Sequence, residues 1–280
     1  MNLNDAITEG RKFLQNCNIC NPLLDSEILL SNVIKKDREY LILNSLKILK
    51  KEEHAKFKEL LKKRSLKVPV AYLINKKNFW KDEFYVDKRV LIPRPDSELL
   101  VSQTLQMTKN KDQLNILEVG VGSGCIILSI LKEKTGFKGN GIDIDKNSLD
   151  VSKLNAKKLG INDRIKFFKC DIDKFNIGKY DIILSNPPYI SKYELSGLVD
   201  DVIKNEPKTA LDGGICGTSE INKVIKKSSK LLKHKGKLIL EISYNQKNEV
   251  KRLFNKYNFY VEKVIKDYAN YDRCVIGTKI

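Results

Sequence analysis

Asn186-Pro187-Pro188-Tyr189 closes an apolar run, Tyr180-Asp181-Ile182-Ile183-Leu184-Ser185. The run has the length and residue types of a buried strand, and the prolines are its breaker. Two successive prolines fix φ and remove two backbone donors, so the corner is stiff and its carbonyls face outward without partners. The Asn186 side-chain oxygen and the Pro187 carbonyl can each accept one N–H of a planar NH2 group. Tyr189 supplies an aromatic surface to stack on that group and exclude water. These types suit methylation of an amide or aromatic amine nitrogen, whose lone pair is delocalised and must be turned toward the incoming carbon. Positive charge growing on nitrogen is then met by preorganised dipoles. No strong base is needed, because the nitrogen's proton becomes acidic as the bond forms. The plainer alternative is a Pro-Pro turn with a chance Asn and Tyr, and the residues upstream weigh against it.

Upstream, Asn115-Ile116-Leu117-Glu118-Val119 has strand character, and Cys125 to Leu131 has helix character. Gly120-Val121-Gly122-Ser123-Gly124 joins them. A strand, glycine turn and helix place backbone N–H groups and a helix N-terminus around a ligand, and the glycines let it approach the backbone closely. A dinucleotide fingerprint would place glycine at position 125, where Cys125 stands. With Glu118 at the acidic position, the spacing favours S-adenosylmethionine over NAD. The next strand, Gly139-Asn140-Gly141-Ile142-Asp143, ends in a carboxylate about 20 residues beyond the glycines, where a ribose diol is held in such folds. Asp145 competes for that role. A third strand, Arg164 to Cys170, ends at Asp171-Ile172, placed for the edge and face of an adenine. An ordinary capping role explains Asp171 taken alone equally well. Four successive strand ends carrying glycines, Asp143, Asp171 and Asn186 together point to a methyltransferase.

The elements that must position these residues divide near residue 75. Residues 1–65 are helical in pattern: Asp5 to Leu14, a helix begun by Pro22, and a charged helix from Lys51 to Arg64, with Pro69 ending the region. Phe79-Trp80 and Phe84-Tyr85-Val86 flank a polar turn and predict a β-hairpin. Pro93 and Pro95 stiffen an extended segment before a helix starting near Ser97. Beyond Tyr189, residues 190–214 are polar and rich in Gly, Asp and Glu, the composition of a lid or docking loop, with Glu206-Pro207 as a candidate anchor. A helix from Ser219 to Leu232 and a strand from Lys237 to Ile242 follow. The last two strands, Tyr260 to Ile265 and Arg273 to Gly277, form an expected edge hairpin. Alternating strands and helices predict an α/β fold with a mostly parallel sheet and one antiparallel strand.

At 280 residues, 41% hydrophobic and 31% charged, the chain has ample material for a packed core and is not of disordered composition. Its longest apolar runs are far too short to span a bilayer, and the N-terminus, with Asp5 and Glu9, lacks a secretory h-region. A net charge of +17 would ordinarily indicate nucleic acid, but only eight of the 52 basic residues are Arg and the lysines are scattered. That pattern fits a lysine-biased composition as well as a binding surface. Cys17-Asn18-Ile19-Cys20 is a single Cys-x-x-Cys without a second pair, so neither zinc nor redox chemistry is expected, and no metal is assigned. His54 and His234 have no partner nucleophile.

The chain resembles the HemK/PrmC family of N5-glutamine methyltransferases that modify peptide-chain release factors. The resemblance runs through Pro69-Val70-Ala71-Tyr72-Leu73, Phe79-Trp80, Leu91-Ile92-Pro93-Arg94-Pro95-Asp96-Ser97-Glu98, Asn186 to Ile190, Glu206-Pro207-Lys208-Thr209-Ala210-Leu211 and Lys266-Asp267-Tyr268. The Asn-Pro-Pro-Tyr element is shared with enzymes that methylate adenine and other nitrogens; the Ile-Pro-Arg-Pro-Asp segment is more specific. The resemblance implies a Rossmann-like, seven-stranded class I methyltransferase domain with a small helical N-terminal domain. It divides the chain into a substrate-recognition domain (1–75), a hairpin and extended linker (76–95) and a catalytic domain (96–280). It implies a cofactor pocket from Gly120, Val121, Gly122, Ser123, Gly124, Asp143, Asp171, Ile172 and Asn186. Ile172 is aliphatic where family members often carry an aromatic, so an apolar contact replaces stacking. Asn186, Pro187, Pro188 and Tyr189 would grip the glutamine of a Gly-Gly-Gln loop, with Asn186, Pro187 and Tyr189 as the catalytic set. The implied enzyme is a cytoplasmic monomer that uses S-adenosylmethionine, takes a release factor as partner, and binds neither nucleic acid nor membrane. Alternatives are methylation of an exocyclic amine of DNA or RNA and, in a different class, a non-catalytic RNA-binding factor that retained the fold.

Overall fold

The computed structural model describes residues 1–280. They form two units, one of Met1–Lys76 with Val199–Asn205, the other of Lys77–Leu198 with Glu206–Ile280.

The first unit is helical: α1 (Leu3–Asn16), α2 (Pro22–Ile34), α3 (Arg38–Leu43), α4 (Lys51–Ser65) and α5 (Val70–Ile74). Local chemistry sets the starts. Asn2 and Asp37 accept N–H groups of the first turns of α1 and α3, and Pro22 opens α2 where a missing donor costs nothing. Pro69, expected to end the region, instead precedes the short α5 and accepts from Leu73. Leu3, Leu14, Leu29, Leu30, Phe57 and Leu61 share the core. Arg64 is buried there and pairs with Asp25 at 2.7 Å and with Asp201 at 2.8 Å.

The second unit begins with an isolated hairpin, β1 (Lys77–Phe79) and β2 (Asp82–Phe84). Its two-residue turn is Trp80-Lys81, with Trp80 at φ +57°, so Tyr85 and Val86 lie beyond the strands expected to contain them. There follow α6 (Glu98–Met107), β3 (Asn115–Val119), α7 (Cys125–Glu133), β4 (Lys138–Asp143), α8 (Lys146–Lys158), β5 (Ile165–Lys169), β6 (Tyr180–Ser185) and α9 (Lys192–Leu195). The segment containing α10 (Asp200–Ile203) belongs to the first unit. The second then continues with α11 (Ser219–Leu231), β7 (Leu232–Glu241), α12 (Lys247–Lys256), β8 (Phe259–Lys266) and β9 (Asp272–Lys279).

The seven strands β3 to β9 form one sheet in the order β5-β4-β3-β6-β7-β9-β8, and β9 alone runs opposite to the other six. Side-chain alternation sorts the apolar residues onto two faces. Ile116, Ile182, Leu184, Ile239 and Ile276 pack with residues of α6, α7 and α8. Leu117, Ile183, Leu238, Leu240 and Val275 pack with those of α11 and α12. The run Ile182-Ile183-Leu184 is continuous because both faces of a central parallel strand are covered. This is the class I methyltransferase architecture. After β3 the chain steps outward through β4 and β5, then returns to place β6 on the other side of β3. Ligands of open α/β sheets bind at such a reversal, outside the carboxyl ends of the strands. No helix is long and apolar enough to cross a membrane.

Candidate active site

A cavity of about 370 Å³ opens at that reversal, within the size range of small-molecule sites. Its walls come from the carboxyl ends of four strands: Val119 and Gly120 after β3, Ile142 and Asp143 after β4, Cys170 to Ile172 after β5, and Ser185 to Pro188 after β6. Arg89 to Leu91 close one side, and Pro207, Thr209, Ala210 and Asp212 another.

The glycine turn takes its shape from φ values of +73°, +52° and +80° at Gly120, Gly122 and Gly124, a region costly for residues with a Cβ. Its donors are largely used within the protein. The N–H groups of Gly120 and Val121 bond the Ile142 carbonyl, that of Gly122 bonds Asp143, and that of Gly124 bonds Val121. Glu118 is buried beneath the turn and accepts from Ile127, in the first turn of α7, at 3.0 Å. A pyrophosphate would need those donors and that helix terminus. Most of the turn's donors and the Ile127 N–H of α7 are taken, the latter by a carboxyl group, which favours a ligand without phosphate. Burial raises the Glu118 pKa well above the usual carboxylate range.

Of the two candidate acids after β4, Asp143 lines the cavity and Asp145 does not. Asp145 caps α8 through the Asn147 N–H. Asp143 accepts from Gly122 and from Asp145, each at 3.0 Å. Burial raises its pKa, opposed by those backbone donors. Asp171 both lines the cavity and accepts from the Asp173 N–H, so its capping and ligand-facing readings coexist. Ile172, buried, adds apolar wall.

At the β6 corner the Asn186 Nδ2 donates to the Ser97 hydroxyl at 3.0 Å, and no donor in the protein reaches Oδ1. Nor does any reach the Pro187 carbonyl. The expectation of outward, unpaired carbonyls fails at Tyr189, whose carbonyl accepts from Gln246 Nε2 at 3.0 Å. Tyr189 is not among the cavity walls. Its ring packs with the core on the α11 side, and its hydroxyl donates to Glu241 Oε1 at 3.2 Å. Burial pushes its phenol pKa up, and the nearby Glu241 adds to the effect.

Residues 206–217 are tied to this corner rather than hanging free. Ile190 and Leu211 to Gly213 exchange backbone hydrogen bonds, and Gln246 also bonds the Gly217 carbonyl. Glu206, 5% exposed, receives the Arg94 guanidinium at 2.6 Å and the Ile92 N–H at 3.3 Å. The anchor is therefore an ion pair between Ile-Pro-Arg-Pro-Asp and Glu-Pro-Lys, the segments on either side of the cavity.

Gly120, Gly122, Asp143, Asp171, Ile172, Asn186, Pro187 and Pro188 thus share one cavity wall. Val121 and Ser123 are buried in the turn, Gly124 is the capping residue before α7, and none of the three lines the cavity. Sequence reasoning missed Glu241 and Gln246, which sit at and beyond the end of β7, and placed Ser97 only within a motif and at a helix start. A carboxylate ending an otherwise apolar strand, Leu238-Ile239-Leu240-Glu241, was the available signal.

Comparison with known proteins agrees with this architecture. Residues 5–74 match the family described as PrmC N-terminal domain, and residues 110–278 match a methyltransferase domain family. A release factor glutamine methyltransferase of Buchnera aphidicola subsp. Schizaphis graminum is 37% identical over 279 residues, covering 100% of both chains. One from Clostridium botulinum is 36% identical over 282 residues, again covering 100% of both. Among solved structures, a methyltransferase from Pyrococcus furiosus superposes with a TM-score of 0.53 at 18% identity, over 70% of this chain and 88% of that one, a likeness of fold alone. Matched along its whole length and through both of its units, the chain belongs to the release factor glutamine methyltransferase family.

Proposed function

We propose that this chain transfers a methyl group from S-adenosylmethionine to the side-chain amide nitrogen of the glutamine in the Gly-Gly-Gln loop of a peptide-chain release factor. The observation that carries the reading is the β6 corner. There the Asn186 Oδ1 and the Pro187 carbonyl, both without protein donors, stand on the wall of a cavity suited to a phosphate-free nucleoside. Two acceptors side by side match the two N–H groups of a primary carboxamide.

The bound cofactor would supply an electrophilic methyl group on its sulfonium. Asp143 would hold the ribose hydroxyls, Ile172 the adenine face, and Asp171 its edge. The chain's own part in the reaction is orientation. Asn186 and Pro187 fix both amide N–H groups, so the nitrogen lone pair faces away from the corner and into the cavity. Their carbonyl dipoles point at the nitrogen where positive charge develops and need no reorganisation as it does. Pro188 keeps the backbone from turning, and Tyr189 braces the corner through Glu241. The proton lost from nitrogen is acidic once the new bond forms, so no dedicated base is assigned. The helical unit would hold the protein substrate, and a cytoplasmic monomer is the form proposed.

The test is incubation of the purified chain with methyl-labelled cofactor and separate pools of release factor, DNA and ribosomal RNA. Label is expected in release factor alone, on the Gly-Gly-Gln glutamine by peptide mass. Label confined to nucleic acid would replace the substrate assignment with an exocyclic amine, and absence of label from every pool would favour a non-catalytic role.

A further inference from the structure

Behind Asn186 lies a chain of hydrogen bonds whose protons can be assigned one by one. With Glu241 ionised, both of its oxygens only accept, so the Ser97 hydroxyl donates to Oε2 at 2.6 Å and has no second proton to give. Its oxygen is then available to Asn186 only as an acceptor. The Asn186 atom 3.0 Å away must therefore be the NH2 group, which leaves Oδ1 on the other side of the amide. Glu241, 1% exposed, accepts from Tyr189 through its second oxygen, so the carboxyl is held at both ends. Rotated by half a turn, the Asn186 amide would set its carbonyl oxygen against the lone pairs of Ser97. It would also present NH2 to the NH2 of the substrate, donor against donor.

We propose that Ser97 and Glu241 are positioning residues for methyl transfer, holding the Asn186 amide in the one orientation that accepts the substrate's N–H. The inference rests on the reading that Asn186 grips the carboxamide. Neither Ser97 nor Glu241 lines the cavity, so both act through Asn186 and not by contact with substrate or cofactor. Burial supports the assignment, since the group would be costly to keep as packing alone. A carboxyl at 1% exposure, with its pKa raised by burial to about 7, opposes folding whenever it ionises. The segment supplying Ser97 is itself fixed, because Arg273 approaches Asp96 at 3.6 Å while bonding Asp267 at 3.1 Å.

The experiment measures kcat and the KM of each substrate for Asn186→Ala, Ser97→Ala, Ser97→Thr and Glu241→Leu. Calorimetric cofactor affinity and a thermal melt accompany each variant. Loss of orientation at the reacting amide is expected to lower kcat of Ser97→Ala about 10- to 100-fold, with both KM values and cofactor affinity within about threefold of wild type. Ser97→Thr keeps a hydroxyl and should recover most of the rate. Should Ser97→Ala fail to fold, Glu241→Leu decides by the same split, since it removes the acceptor that directs the Ser97 proton. A wild-type rate for Asn186→Ala would overturn the reading of the corner itself. An inactive Asn186→Ala, with Ser97→Ala and Glu241→Leu within about twofold of wild type, would overturn the positioning role alone. A fall in cofactor affinity equal to the fall in kcat would also overturn it, marking the chain as structural.

Discussion

Asp143→Ala separates the two acids that follow β4. Asp143 accepts from Gly122 and Asp145 and faces the cavity, where a ribose diol would offer two further donors. Each hydrogen bond to a charged group contributes about 1.5–3 kcal/mol, so losing two would cost binding about 3–6 kcal/mol. That is roughly 10²- to 10⁴-fold in Kd, with the lower end favoured because contacts to one carboxylate are not additive. Folding should lose less, since the orphaned N–H groups lie at an open cavity that water can enter. Asp145→Ala is the matched control. It removes the α8 cap, worth about 1 kcal/mol of stability, and should leave cofactor affinity within about threefold. Isothermal calorimetry with S-adenosylmethionine, run beside denaturant melts, reads both quantities. Unchanged affinity in Asp143→Ala, or a loss in Asp145→Ala instead, would refute the assignment.

Three more outcomes are expected. Arg64→Ala should destabilise the helical unit by about 3–5 kcal/mol in denaturant melts, because it leaves Asp25 buried without its partner. It should also speed proteolysis within Val199–Asn205, where Asp201 loses the same guanidinium. For Glu241, burial raises the folded pKa from 4.5 to about 7. Between those values the folded state binds the extra proton, so this group's contribution falls as pH rises and is lowest above about 7. The stability of Glu241→Gln relative to wild type should therefore grow by about 3 kcal/mol between pH 4.5 and pH 8, and a constant gap would contradict the shift. Gly217→Ala would set a Cβ 2.4 Å from the Tyr189 carbonyl, at φ +73°. It should lower both melting temperature and turnover, whereas a neutral result would show that this backbone approach does not hold the corner.

Strand ends were legible because their signals are local. An apolar run stopped by Pro187, or turned by Gly120 to Gly124, declares its terminus within a few residues, and the parallel order follows from alternation with helices. Cys125 already argued against a dinucleotide in sequence, whereas the seat of Glu118 against α7 needed coordinates. Asp143 and Asp145 were indistinguishable in sequence, since two carboxylates two residues apart at a strand end can each cap or each bind. The backbone decides between them by turning one inward.

What the chain alone determined is the inventory at the sheet's edge: glycines, Asp143, Asp171 and Asn186, one per strand, each legible from its neighbours. What only tertiary structure decided is which way those groups point. Ser97 and Glu241 are 144 positions apart, and Arg94 and Glu206 are 112 apart. No spacing rule joins residues at that separation. Their pairing is set by the order in which the sheet stacks its strands, which brings the end of β7 beside that of β6.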